Sequence, residues 1–326
     1  MPKVSVVVPN YNHARFVRQR IETILAQTFQ DFELILLDDC STDDSRAILQ
    51  EYASDPRVRL EFNEVNSGST FKQWNKGVRL ARGKYVWIAE SDDYADPRFL
   101  ERLVSRLGAE PRAAFAYCRS WRVSEHGQLH GFQDSLLSSP DTERWSADFL
   151  ADGPEECRER LIRGNSIFGA SSAVFRKDAY LMAGGADESL VYCGDWKTWA
   201  AMALAGGMIA YVGDPLNYYR FHDASVTSKS EQSGVWPGEA LYVVGWMLER
   251  LGLDRAARAK ICDDLSWLWV PPVLDRRVPP RLRWTIIKRA AAVDRRAPRR
   301  LIRPALTALR LTLRRRWRSL RAASSQ

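Results

Sequence analysis

Adjacent carboxylates occur at Asp38-Asp39 and Asp92-Asp93, and each pair follows a short, largely apolar run. Two acids side by side offer oxygen ligands to a hard divalent ion, and an ion so held offsets negative charge on a diphosphate. A third acid, Asp195, lies in Gly194-Asp195-Trp196. An ionised carboxylate held beside a hydroxyl can take its proton, as a general base does. Arg220 and His222 close the set, in Tyr218-Tyr219-Arg220-Phe221-His222. A planar guanidinium suits phosphate oxygens, and imidazole is a competent ligand for Mn2+. Most of these residues also have a plain structural reading. Asp38 and Asp39 fit a strand-end turn, Asp93 and Asp195 fit helix caps, Tyr11 fits core packing, and His222 fits a surface turn. Lys72 and Lys76 can approach a diphosphate or simply occupy an exposed helix face.

Positioning these groups requires a scaffold, and the first hundred residues spell one out. Val4 to Val8, Phe32 to Leu37, Val58 to Phe62 and Tyr85 to Ala89 read as buried strands, the first closed by Pro9. Between them, Phe16, Val17, Ile21, Ile24 and Leu25, then Ile48, Leu49 and Tyr52, then Phe71, Trp74 and Val78, recur at helical spacing. Strands alternating with helices predict a parallel sheet wrapped by helices, whose ligands bind beyond the carboxyl ends of the strands. Both acid pairs fall at such ends. Residues 121–165 are polar and Gly/Pro-rich, which predicts loops and short helices over the cleft. Ala173 to Phe175, Ile209 to Val212 and Leu216 to Phe221 read as further strands. Beyond about Ser233 the pattern is helical, with Pro271-Pro272 and Pro279-Pro280 as the expected linker.

The ordered series Val4-Ser5-Val6-Val7-Val8-Pro9-Asn10-Tyr11-Asn12, Asp38-Asp39-Cys40-Ser41-Thr42-Asp43, Asn66-Ser67-Gly68, Ala81-Arg82-Gly83-Lys84-Tyr85 and Ser91-Asp92-Asp93 resembles the motif series of family 2 glycosyltransferases. The resemblance covers about residues 3–225. It implies a GT-A fold, with a Rossmann-like, mostly parallel central sheet flanked by helices and a C-terminal helical extension. It also implies inverting transfer from a UDP, GDP or dTDP sugar to a glycan or lipid-linked glycan in surface polysaccharide synthesis. By the same resemblance Pro9 and Tyr11 line the nucleobase, Asp39 contacts it, and Asp92 lies near the ribose. Arg220 then meets a phosphate, Asp93 and His222 hold Mn2+ or Mg2+, and Asp195 is the base. The metal segment departs from the commonest pattern, reading Glu90-Ser91-Asp92-Asp93 rather than a fuller Asp-x-Asp. The expected organisation is a catalytic domain at 1–232, with a nucleotide-binding half at 1–110 and an acceptor half at 111–232. A helical extension at 233–275 and a basic amphipathic tail at 276–326 follow.

The net charge of +8 is unevenly distributed. Residues 276–326 hold 17 Lys/Arg against one acid, Asp294, which leaves 31 bases and 39 acids before them. An acidic body with a basic tail predicts an enzyme tethered to an anionic surface. Ile302, Leu306, Leu309, Leu313, Trp317 and Leu320 recur at spacings of three and four among arginines, which predicts an amphipathic helix over 300–321 at a lipid face. A helix packed on the protein with a basic outer face is the other reading of that pattern. The five cysteines show no paired spacing, so a reducing cytoplasm is expected, with the protein peripheral at the inner face of the membrane. The N-terminal apolar stretch is too short for an export signal, and no segment reaches about 18 apolar residues. A sugar-nucleotide pyrophosphorylase would want a glycine-rich phosphate loop with a basic residue after the first strand, where Asn10-Tyr11-Asn12 stands. A nucleic-acid arm would use the arginine tail alone, and no nucleic-acid partner is expected.

Overall fold

Apolar runs with no polar face belong in strands covered on both sides. The computed structural model, which describes residues 1–132, 143–223, 225, 235–275 and 277–301, has such strands at the centre of its sheet. β1 (Val4–Asn10) and β2 (Phe32–Asp38) are buried at every position. With β3 (Val58–Phe62) and β4 (Tyr85–Ile88) they form a parallel block in the order β3-β2-β1-β4. The connecting helices are α1 (Ala14–Leu25), α2 (Ser45–Gln50) and α3 (Thr70–Leu80). The residues at helical spacing face inward: α1 buries Phe16, Val17, Ile21 and Ile24, and α3 buries Phe71, Trp74 and Val78. Helix α3 lies so close to β1 that a Cβ on Gly77 would sit 2.2 Å from Cγ1 of Val7.

Past β4 come β5 (Tyr94–Ala95), α4 (Phe99–Ala109), β6 (Ala113–Ser124), β7 (Leu129–Phe132), β8 (Phe149–Asp152) and α5 (Gly153–Glu159). β9 (Ala173–Arg176), α6 (Lys177–Met182), α7 (Gly194–Leu204) and β10 (Met208–Phe221) follow. The sheet is mixed and ten-stranded, in the order β3-β2-β1-β4-β9-β6-β10-β5, with β7 paired to β6 and β8 to β10. β9 runs antiparallel to both β4 and β6, and β10 is parallel to β6. It follows that β10 points the same way as β1, β2 and β4, and all four carboxyl ends share one edge. Asn10, Asp38, the turn at 90–93 and His222 therefore emerge together.

The irregular stretch expected at 121–165 contains the end of β6, its hairpin partner β7, β8 and α5. Their polar outer faces hide the pattern, and pairing with β10 rather than local periodicity holds β8 in place. The two strands expected at 209–212 and 216–221 are one strand of 14 residues. Its register shifts on either side of Pro215, the place where a residue without an N–H donor fits a ladder.

The chain divides into two compact units, Met1–Lys229 and Ser230–Gln326. The second is helical, with helices at Val235–Arg250, Arg255–Asp264, Ser266–Leu274 and Pro280–Val293. Its core includes Val244, Met247, Trp269, Ile286 and Ala290. Pro271 and Pro272 are not a linker; they lie inside the helix Ser266–Leu274. Burial of Leu268, Trp269 and Val273 on that helix outweighs the two missing donors. Pro280 opens the next helix, where a missing N–H costs nothing. The amphipathic helix expected over 300–321 lies outside the described residues beyond Leu301. Among the described residues no helix is long and apolar enough to cross a membrane.

Candidate active site

At the end of β2 the two acids diverge. Asp38, fully buried, accepts from Asn10 Nδ2 at 3.0 Å and the Ser41 amide at 2.9 Å, and pairs with Arg46 at 2.8 Å. Cys40 turns the chain with φ at 63°, a left-handed geometry costly for a residue with a Cβ. Asp39 thereby faces the next loop. Its carboxylate accepts from Asn63 Nδ2 at 2.6 Å, the Ser67 amide at 2.9 Å, Ser67 Oγ at 2.7 Å and Gln73 Nε2 at 2.9 Å. Four donors satisfy an ionised carboxylate, so Asp39 ties the 63–69 loop to the first turns of α3. Pro9 is buried inside β1, whereas Tyr11, just past its end, is 46% exposed.

The turn after β4 gathers the charges. Glu90 accepts from Trp74 Nε1 at 2.7 Å. Asp92 Oδ2 lies 3.1 Å from His222 Nε2, and His13 Nδ1 lies 2.7 Å from Ser91 Oγ. His13, Asp92 and His222 each offer one ligand atom, and these atoms all lie within 4.8 Å of one another. Asp93 turns inward instead. It is 3% exposed, accepts from the Arg220 amide at 2.9 Å, and stands 4.0 Å from Nη2 of the fully buried Arg20. Arg220 does not point its fork outward: it donates to the Asp92 carbonyl at 2.7 Å, the Glu125 carbonyl at 2.9 Å and Gln19 Oε1 at 2.6 Å. Its guanidinium also lies over Phe16 and Tyr94, 4.8 and 5.2 Å from the ring centroids. Arg220 clamps β10 to the acidic turn.

Crowded charges shift one another. Burial, then the charge of Asp92, pushes the Glu90 carboxyl up to about 8. The same two causes push Asp93 up to about 6, against the pull of Arg20. At Asp92 burial works upward, but the hydrogen bond from His222 and the charges of His13 and His222 outweigh it, and the group stays below its ordinary value. Burial lowers Arg20 to about 10. The donor set at the edge fits a divalent transition ion. Metal–ligand bonds of about 2.1 Å put neighbouring octahedral ligands about 3 Å apart. The Asp92–His222 separation is 3.1 Å. The family resemblance implies Asp92 by the ribose and Asp93 on the metal. In the structure Asp92 joins the imidazoles and Asp93 the arginines. His13, which the sequence pattern does not single out, lies beside Asp92 and His222, three residues past the end of β1.

Asp195 sits in the first turn of α7, partly buried, but it does not cap that helix. The cap position belongs to Cys193, with no side-chain cap bond. The Asp195 carboxylate accepts from Asn165 Nδ2 at 2.9 Å and from the Trp196 amide at 2.6 Å. A Cβ on Gly194 would lie 2.4 Å from Cε2 of Phe71, so α7 begins directly against α3. Three residues of α3 thus reach the three acidic places: Phe71 packs on Gly194, Gln73 bonds Asp39, and Trp74 bonds Glu90. Lys72 and Lys76, in the same turns, donate to the Ser67 carbonyl at 3.1 Å and Asn63 Oδ1 at 2.6 Å.

An ion pair steadies α7 further. Lys197 and Asp187 meet at 2.5 Å, both largely buried. Burial opposes the charge on Asp187, but hydrogen bonds from Lys197 and Ser189 prevail and hold its carboxyl down at about 2. A depressed acid stabilises the fold above its unfolded value and loses that contribution as pH falls toward the folded value. Asp187→Asn is therefore expected to lower unfolding free energy by about 1–2 kcal/mol at neutral pH, a gap that closes between about pH 4 and 2. Chemical denaturation at pH 7 and pH 2.5 measures it.

Residues 5–180 match the family described as glycosyl transferase family 2. The putative teichuronic acid biosynthesis glycosyltransferase TuaG of Bacillus subtilis (strain 168) is 40% identical over 142 residues, 43% of this chain and 54% of TuaG. The matches are partial, and the chain spans from 14% to about half of the lengths of the first relatives. Among solved structures, S. aureus TarS 1–349 in complex with UDP-GlcNAc superposes with a TM-score of 0.67 at 19% identity, over 90% of this chain and 82% of that one. The mannosyltransferase PcManGT from Pyrobaculum calidifontis, in complex with GDP-Man and Mn2+, gives 0.55 at 17% identity, over 94% and 81%. At such identities the likeness establishes the GT-A fold alone.

Proposed function

The chain belongs to glycosyl transferase family 2, and from that premise we propose that it is an inverting glycosyltransferase, moving a sugar from a nucleoside diphosphate onto a glycan or lipid-linked glycan in surface polysaccharide synthesis. One observation carries the proposal: α3 touches the neighbourhoods of Asp39, Asp92 and Asp195 within its first two turns. A nucleotide pocket, a charge-neutralising site and a base are then three parts of one crevice. TarS, whose structure holds UDP-GlcNAc, and PcManGT, whose structure holds GDP-Man and Mn2+, support a nucleotide-sugar donor and a divalent ion.

In this reading Tyr11 covers one face of the nucleobase, with Pro9 beneath it in β1. Asp39 holds the loop that forms the opposite wall, and a base N–H takes the place of one of its four donors. Asp92 and His222 hold Mn2+, or less readily Mg2+, which when bound neutralises charge on the departing diphosphate. Asp93 balances Arg20 and the Arg220 amide beneath the turn, while Arg220 fixes the strand that brings His222. Asp195 accepts the acceptor's proton as its oxygen attacks the anomeric carbon, and a single displacement inverts the configuration. Asn165 holds that carboxylate in place.

Bound donor stabilises the folded chain in proportion to the logarithm of its concentration over its Kd. Thermal melting with UDP, GDP and dTDP sugars, each with and without Mn2+, is expected to show one nucleotide class standing above the rest only when Mn2+ is present. Equal melting with all of them would sink the donor assignment.

The arginine-rich pattern over 300–321 supports attachment to an anionic membrane at its cytoplasmic face. Deleting residues 302–326 is expected to abolish co-flotation with vesicles containing anionic lipid. Flotation that survives the deletion would place the contact elsewhere.

A further inference from the structure

We propose that His13 is a third protein ligand to the ion held by Asp92 and His222, which makes the site an imidazole-rich one that prefers Mn2+ and later transition ions to Mg2+. The inference rests on the metal reading above and goes beyond it in naming a ligand and a selectivity.

His13 comes directly before α1, in the position where a capping side chain would stand, yet it makes no side-chain cap bond. Its ring meets the His222 ring edge to face, 5.7 Å between centroids at 81°, and packs against Phe16 at 6.2 Å. Ser91 Oγ, 2.7 Å from Nδ1, fixes the ring's orientation, as an outer partner does for a ligating imidazole. The ligand atoms of His13, Asp92 and His222 fall within 4.8 Å of one another. With bonds of about 2.1 Å the widest corners of one coordination sphere stand about 4.2 Å apart, so side-chain shifts of about half an ångström bring all three atoms onto one ion.

Each corner comes from a different element: His13 from the start of α1, Asp92 from the turn after β4, and His222 from the end of β10. Their meeting follows from the shared carboxyl edge of β1, β4 and β10 rather than from proximity in sequence. Donor chemistry then sets the preference. Mg2+ takes oxygen ligands and holds its water, whereas imidazole nitrogen favours ions later in the first transition series. Two imidazoles against one carboxylate oxygen bias the site accordingly.

The test is pulsed EPR of the full-length protein loaded with Mn2+, in the presence of UDP, GDP or dTDP, together with Mn2+ and Mg2+ binding isotherms. The wild type is expected to show couplings to two distinct histidine nitrogens. His13→Ala keeps one of them, weakens Mn2+ binding by about tenfold or more, and narrows the preference for Mn2+ over Mg2+. His13→Gln, which keeps a polar side chain of similar reach, checks the result should the alanine variant melt early. An unchanged nitrogen pattern and unchanged affinity in a folded variant overturn the inference and leave the metal reading standing. A wild type that binds no Mn2+ under any of these conditions overturns both.

Discussion

An Asp195→Asn enzyme is expected to bind donor as the wild type does and to transfer sugar about 10²–10⁴ times more slowly, the range a positioned general base supplies. The substitution preserves shape. A carboxamide oxygen still accepts from the Trp196 amide or Asn165, which donate to the native side chain at 2.6 and 2.9 Å. What it removes is the capacity to take a proton. Because Asp195 does not cap α7, the melting temperature should move little. Single-turnover transfer and donor titration on the same preparation separate the outcomes. Undiminished turnover removes the base assignment, and lost donor affinity with intact chemistry moves Asp195 into the donor pocket.

The second large effect is expected at the acidic turn, where the two neighbours should fail in different ways. Asp92→Asn takes away the only carboxylate among the three groups proposed to hold the metal, so Mn2+ affinity and transfer should fall together, by about a hundredfold or more. The fold should tolerate it, because Asp92 is partly exposed and its loss relieves the repulsion that raises Asp93 and Glu90. Asp93→Asn should instead act through stability. It leaves the fully buried Arg20 without its nearest counter-charge, and breaking such a pair costs about 3–5 kcal/mol. Metal titration and denaturant melts of the two variants distinguish the roles. If Asp93→Asn loses metal and keeps its stability, the assignments are reversed.

How far these roles were legible in the sequence depends on the range of the forces that fix them. Asp39 and Asp92 could be placed at the carboxyl edge of the sheet because apolar runs alternating with helical spacing determine strand direction locally. Which member of Asp92-Asp93 faces outward could not be read. It is set by Arg20 on α1 and the Arg220 amide on β10, which are 73 and 127 residues away. His13 was invisible for the same reason, since its significance requires His222. The position of α3 as the common wall depends on Gly77 and Gly194, two close approaches that no periodicity announces. In the C-terminal unit, Pro271-Pro272 looked like punctuation, and the buried Trp269 beside them overrides it.

Asp39, Asp92 and Asp195 are proposed to surround a single sugar diphosphate, and a crystal structure of the protein with Mn2+ and the nucleoside diphosphate chosen by thermal melting addresses that claim most directly. The expected result is a metal between Asp92 and His222 touching the diphosphate, a base beside Tyr11 and the Asp39 loop, and the Asp195 carboxylate lining the space beyond the β-phosphate. A nucleotide bound away from this edge, or a metal on Asp93 with Asp195 turned from the phosphate, would contradict it.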